Sequence, residues 1–136
     1  MEYILYSDGG ARGNPGPAGC GFVIKNTDKE IIHEGSVYIG ETTNNQAEYQ
    51  ALLFGIEKIK ELGDVEKATC YLDSELAVKQ LNKEYKMKNK DLRVHFDKIN
   101  IINYELGNCI SFHHVVREKN KEADALANKA MDRKNN

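Results

Sequence analysis

Four carboxylates stand at positions where an acid needs a reason. Asp8 follows the β-favouring run Met1–Ser7, and Asp73 follows Lys67–Leu72, so each sits at the end of a predicted strand. Glu48 comes one turn before Leu52 and shares a helical stripe with Leu52, Ile59 and Leu62. A carboxylate that extends such an apolar face is expensive unless it is paired or binds a metal. Asp124 lies in the first turn of the last predicted helix. Each acid has an ordinary alternative. Asp8 and Asp73 suit turns, Asn45 and Glu48 match the N-x-x-E capping box, and Asp124 would complement a helix dipole. The conjunction is less ordinary. Strands distant in sequence can be neighbours in a mixed sheet, and their ends would then set two carboxylates side by side, repelling unless a cation lies between them. Four oxygen ligands with no thiolate or imidazole cluster select a hard cation, Mg²⁺ or Mn²⁺, the usual partner of phosphate esters.

The elements that must position these acids follow from periodicity. Three strands come first, Met1–Ser7, 20–25 and 30–39. Asp8-Gly9-Gly10 stops the first, residues 9–19 form a glycine-rich loop, and Asn26-Thr27-Asp28 turns a hairpin. Residues 45–62 switch to a helical period, with Leu52, Ile56, Ile59 and Leu62 on one stripe and Gly63 ending the helix. A strand over Lys67–Leu72 and a short helix over 75–83 follow. Residues 83–90, KEYKMKNK, form a polar, basic connection with no sign of burial. A second long helix spans 91–106, with Leu92, Phe96, Ile99 and Leu106 on one side. The last strand is Cys109–Val116 and the last helix 121–131, with a frayed end at Asn135-Asn136. A meander followed by αβ crossovers predicts an α/β fold with a mixed sheet, antiparallel first and parallel afterwards, with helices on both faces.

Composition bounds the rest. The chain has 136 residues, enough for a single domain over 1–136. No apolar run approaches the roughly 20 residues needed to cross a bilayer, and Met1–Gly10 does not read as a signal peptide. Cys20, Cys70 and Cys109 sit singly, with no CxxC spacing, which argues against a disulfide framework or zinc knuckle and for a reducing cytoplasm. The formal net charge of −2 excludes a generic polyanion binder. Charge is uneven, however. Residues 41–66 carry six acids against Lys58 and Lys60, a net −4; residues 83–98 carry six bases against Glu84, Asp91 and Asp97, a net +3. An acidic zone beside a basic one suits a metal site next to a phosphate track, although solvated helix faces would look the same.

Four segments, YSDGGARGNPGPAGCGFVI (6–24), TTNNQAEYQALLFGIE (42–57), YLDSELAVKQL (71–81) and REKNKEADALANKAM (117–131), together resemble the ribonuclease H family, type I branch. The resemblance covers roughly residues 3–131. It implies a five-stranded mixed sheet of order 3-2-1-4-5, in which strands 1 and 4 are central neighbours. It maps the family's four acidic metal ligands onto Asp8, Glu48, Asp73 and Asp124, the acids singled out above. The reaction implied is metal-dependent endonucleolytic hydrolysis of the RNA strand of an RNA–DNA hybrid, giving 5′-phosphate and 3′-hydroxyl ends. Two ions per site, Mg²⁺ with Mn²⁺ as alternative, would clamp the scissile phosphate. Asp8 would lie between both ions, Glu48 and Asp73 would complete their shells, and Asp124 would be the looser ligand. The resemblance also implies substrate contacts. Asn14, Asn44 and Asn45 match positions that read 2′-hydroxyls and base edges in the minor groove, where an amide can both donate and accept. Thr43 matches a residue of a pocket for a DNA-strand phosphate. A monomer with no membrane partner is expected.

The chain also departs from many bacterial members of that family. It has no Trp and no Trp- and Lys-rich protrusion, which leaves Lys86, Lys88 and Lys90 as a partial substitute. The segment before the last helix, 116–120, is short and lacks His; Arg117 or Glu118 could take over part of that loop's role. His113 and His114 read as structural, and Glu75 stands where many members carry Gln. A binding or scaffold module that keeps the fold without turnover is the competing class, though such a module need not keep all four acids.

Overall fold

In the computed structural model, which describes residues 1–134, three strands come first: β1 (Glu2–Ala11), β2 (Gly16–Lys25) and β3 (Ile31–Thr42). They are followed by α1 (Asn44–Leu62), β4 (Lys67–Leu72), α2 (Glu75–Leu81), α3 (Lys90–Glu105), β5 (Ile110–His114) and α4 (Lys121–Arg133). The sheet order is β3-β2-β1-β4-β5. The pairs β1–β2 and β2–β3 are antiparallel, and β1–β4 and β4–β5 are parallel. The mixed sheet and the central β1–β4 pair expected above are therefore present. The expected fraying of Asn135-Asn136 lies outside the described residues.

Alternation along β1 places its odd residues on one face. Tyr3 and Leu5 join Leu52, Ile56 and Ile59 of α1 in the main core, which α2 and α3 extend through Val78, Leu81, Leu92 and Ile99. The helix α4 covers the other face over β1, β2 and β3, burying Ala123, Ala127, Ala130 and Met131. The predicted stripe on α1 holds as far as Ile59; Leu62, in the last turn, is 40% exposed.

Several boundaries differ from expectation, and two of them bear on the site. Asp8-Gly9-Gly10 does not stop β1. The strand runs on to Ala11, with Asp8 opposite Gly21, Gly9 opposite Cys20 and Gly10 opposite Gly19. Backbone pairing with β2 overrides the local turn chemistry, and the glycines serve close packing instead. A Cβ on Gly9 would overlap the Ala47 carbonyl of α1, and one on Gly21 would overlap the Ala123 carbonyl of α4. The glycine-rich loop shrinks to a tight connection over residues 12–15, closed by the Arg12 N–H to the Pro17 carbonyl at 2.9 Å, with a cis Asn14–Pro15 bond inside it.

The second correction concerns the start of α1. Asn45 is not its cap. Thr43 is, and its Oγ1 accepts from the Gln46 N–H at 3.2 Å. Glu48 is therefore not the acid of a capping box but an interior residue of the helix, 7% exposed. The basic connection is also less free than expected. Met87 is buried in the core, and Arg93 bonds its carbonyl at 3.1 Å, while Lys86, Lys88 and Lys90 stay exposed. The last strand stops at His114, before the expected Val116, and a single 3₁₀ turn over Arg117–Lys119 leads into α4.

Candidate active site

Parallel pairing of β1 and β4 ends at Tyr6–Tyr71. Beyond that rung β1 continues toward Asp8 paired only with β2, while β4 ends at Leu72 and hands the chain to Asp73 and the Ser74 cap of α2. The ends of both strands therefore open onto one cleft. Helix α1 brings Glu48 to it from one side, lying against β1 because Gly9 has no side chain. Oxygens of Asp8, Glu48 and Asp73 lie within 4.8 Å of one another. Asp124, in the first turn of α4, lines the same cleft and completes the acidic wall from the opposite side. The cleft holds about 350 Å³ and is also lined by Asn44, Asn45, Ser74, Arg117 and Asn128.

Electrostatics in this cluster are unfavourable as it stands. Burial first, then Asp73 and Asp124, push Asp8 up to about 8, with Arg117 acting in the opposite sense. Burial, then Asp8 and Asp73, raise Glu48 well above the ordinary carboxylate range, opposed by the backbone N–H of Gly9. Glu48 Oε1 is buried with no hydrogen-bond partner. A hard divalent cation fits such a set. The donors are all oxygen, one is orphaned, and their mutual repulsion is what a cation relieves.

The sign of the pH dependence follows. Between the unfolded carboxyl values near 4 and the folded value near 8, the native state holds protons that the unfolded chain has lost. Stability without metal therefore falls as pH rises through that window. A cation must displace those protons, so its stabilising effect should grow with pH. We expect the rise in melting temperature on adding Mg²⁺ to be larger at about pH 8 than at about pH 5. An increment that does not change with pH would contradict this account.

The residues matched to substrate contacts divide into two groups. Asn45 is exposed and lines the cleft. Asn44 lines it too, but its Oδ1 already accepts from the Ala11 N–H at 2.8 Å, and its own N–H donates to Asn14 Oδ1 at 3.0 Å. Asn14 and Asn44 thus tie the β1–β2 connection to the start of α1. Thr43 is occupied in capping. Neither Asn14 nor Thr43 lines the acidic cleft. His113 meets Ser111 Oγ at 3.0 Å and tilts against the Tyr71 ring, outside the cleft. Glu75 is held below the ordinary carboxylate range by the hydrogen bond and charge of Lys79.

Sequence reasoning missed Asn120. It looks like a helix cap, yet its side chain makes no capping bond and is 1% exposed. Its Nδ2 instead reaches the Ser7 carbonyl at 2.9 Å and Asp73 Oδ2 at 3.3 Å. Nothing in the local sequence separates this arrangement from an ordinary cap. Asn128 was also missed; it bonds the Asp124 carbonyl at 3.0 Å.

An α/β fold with this sheet order and an acidic cleft at the ends of its central strands defines a class that other proteins share. A family model described as Reverse transcriptase-like matches residues 6–130. The bifunctional protein Rv2228c of Mycobacterium tuberculosis is 38% identical over 133 residues, which are 97% of this chain and 36% of that protein. Ribonuclease HI of Halobacterium salinarum is 41% identical over 129 residues, 93% of this chain and 63% of that protein. The chain thus spans roughly a third to just under two thirds of the length of these relatives. The structure of LC11-RNase H1 bound to an RNA/DNA hybrid superposes with a TM-score of 0.92 at 46% identity, covering 96% of this chain and 97% of that one. The chain belongs to the ribonuclease H family, in its type 1 branch.

Proposed function

We propose that this chain is an endonuclease that hydrolyses the RNA strand of RNA–DNA hybrids, leaving 5′-phosphate and 3′-hydroxyl ends. The observation that carries the reading is the Asp8–Glu48–Asp73 cluster, with Asp8 and Glu48 buried, at the floor of a cleft rimmed by amides. The hybrid bound to LC11-RNase H1 supports the substrate class. Asp8, Glu48 and Asp73 would hold divalent metal, with Asp124 as the outer ligand. When bound, such ions, Mg²⁺ or alternatively Mn²⁺ and two per site with substrate, would supply charge neutralisation at the scissile phosphate and activation of the attacking water. The protein's own part is position. The rigid end of β1 fixes Asp8, and the N–H of Gly9 orients Glu48. Arg117, one of the two residues expected to take over part of the missing loop's role, would bring positive charge to the cleft wall. The 136-residue chain would act as one catalytic domain, a monomer in the cytoplasm. Among the described residues no helix is long and apolar enough to cross a membrane.

The direct test is incubation of a labelled hybrid with Mg²⁺ or Mn²⁺, with EDTA controls and with duplex RNA and single strands in parallel. Cleavage confined to the RNA strand of the hybrid and abolished by EDTA is expected. No cleavage with either metal would leave a binding module.

Asn45 offers the cleanest probe of substrate recognition, because it is exposed and caps nothing. Asn45→Ala should weaken hybrid affinity with little change in melting temperature, since a contact to a 2′-hydroxyl or base edge is lost. Unchanged affinity would remove Asn45 from the recognition surface.

The exposed Lys86, Lys88 and Lys90 would follow phosphates of the DNA strand. Each lost phosphate contact should flatten the log–log salt dependence of affinity by about 0.7–0.9. The triple Lys→Gln variant should bind more weakly at low salt and converge on wild type as salt rises. Parallel salt slopes would show that these lysines touch no phosphate.

A further inference from the structure

We infer that Asn120 is a positioning residue, which fixes the Asp73 carboxylate and, through it, the spacing of Asp73 from Asp8. The inference rests on the reading of Asp73 as a metal ligand. Asn120 is among the largest fully buried side chains of the protein, yet it is polar and sits behind the acidic cleft, bonded to Asp73, which lines it. Its place in the fold explains why. The β1–β4 ladder ends at Tyr6–Tyr71, one residue before Ser7 and two before Asp73. Past that rung, no backbone bridge holds β1 to the chain leaving β4. The Asn120 amide supplies one. It donates to the Ser7 carbonyl, the group directly preceding Asp8, and to Asp73 Oδ2.

The chemistry of the side chain suits this role. Both contacted atoms are acceptors, so the bridging group must offer two donors from one nitrogen, as a carboxamide does. A flipped amide or a carboxylate would set oxygen against two oxygens. Oδ1 has no hydrogen-bond partner, so the group is held through its donors alone. Asn120 also occupies the N-cap position of α4 and forgoes the capping bond it could make there. Its helix gains nothing from the side chain; the strand ends gain a cross-link. Asp124 lies one turn further along α4, so the same segment that brings the fourth acid to the cleft also orients the third.

Partners of metal ligands of this kind are worth about 10–100-fold in metal affinity or activity. The test uses the full chain and three readouts: Mn²⁺ affinity by calorimetry, kcat and KM on a hybrid, and melting temperature. Asn120→Ala should lower Mn²⁺ affinity and kcat by about tenfold or more, with KM for hybrid within about threefold. In an Asp73→Asn background the same change should cost no further Mn²⁺ affinity, because the group that Asn120 orients has been altered. Asn120→Ser, which keeps one donor, should fall between Ala and wild type and serves if the Ala variant does not fold. A folded Ala or Ser variant with a lower melting temperature but metal affinity and kcat near wild type would overturn the inference. So would a full additional loss of affinity in the Asp73→Asn background. Failure of both variants to fold would assign Asn120 to the fold alone and overturn it as well. The unmutated chain reports on the underlying reading separately: if it neither binds Mn²⁺ nor cleaves hybrid, the metal role of Asp73 falls first and takes the inference with it.

Discussion

Asp73→Asn is expected to reduce hybrid cleavage by at least about a hundredfold while leaving the protein folded. The change is nearly isosteric and removes one negative charge from a cluster in which Asp8 and Glu48 are already forced toward their neutral forms by burial and by Asp73 itself. Stability should therefore hold or improve without metal, because a like-charge repulsion has gone. Activity cannot hold, because one of the three oxygens that lie within 4.8 Å of one another loses its charge. Hybrid binding measured in Ca²⁺ should survive or tighten, since the phosphate backbone meets less negative charge. Separating binding from turnover in this way tests the site directly. Cleavage within tenfold of wild type would mean that Asp73 is a turn residue and nothing more.

The second large effect concerns a residue with no side chain. Gly9→Ala should destabilise the protein by about 3 kcal/mol or more, at the upper end of what overpacking costs. The added Cβ would meet the Ala47 carbonyl and the Glu48 N–H, which are backbone atoms of α1 and cannot rotate aside. The helix would have to move away from the strand, and with it Glu48 from Asp8. The melting temperature should fall by roughly 10 °C, and the folded fraction should bind Mn²⁺ more weakly. Gly10→Ala is the matched control. Its Cβ would make ordinary contacts with Met131 and the Asn44 side chain at 3.8 and 3.9 Å, so a change within about 1 kcal/mol is expected. Equal tolerance of alanine at both positions would show that α1 does not depend on this close approach.

The element order, the long helices and the antiparallel start of the sheet were legible because each rests on a local period, two for strands and 3.6 for helices. Asp8, Glu48, Asp73 and Asp124 were legible because acids on an apolar stripe or at element ends violate that periodicity, and their motifs carried the resemblance that fixed the strand order. The tertiary structure alone decided how they meet. Asp-Gly-Gly reads locally as a turn, but pairing with β2 draws it into a strand, and the glycines are needed for helix contact rather than for chain reversal. Asn-x-x-Glu reads as a capping box, but Thr43 caps α1 and leaves Glu48 buried beside Asp8 and Asp73. Asn120 stands where a cap of α4 would, yet it bonds atoms 113 and 47 residues away in the chain. The physical reason is common to all three. A polar side chain takes the partner that burial leaves it, and when that partner comes from a distant segment no local pattern records the choice.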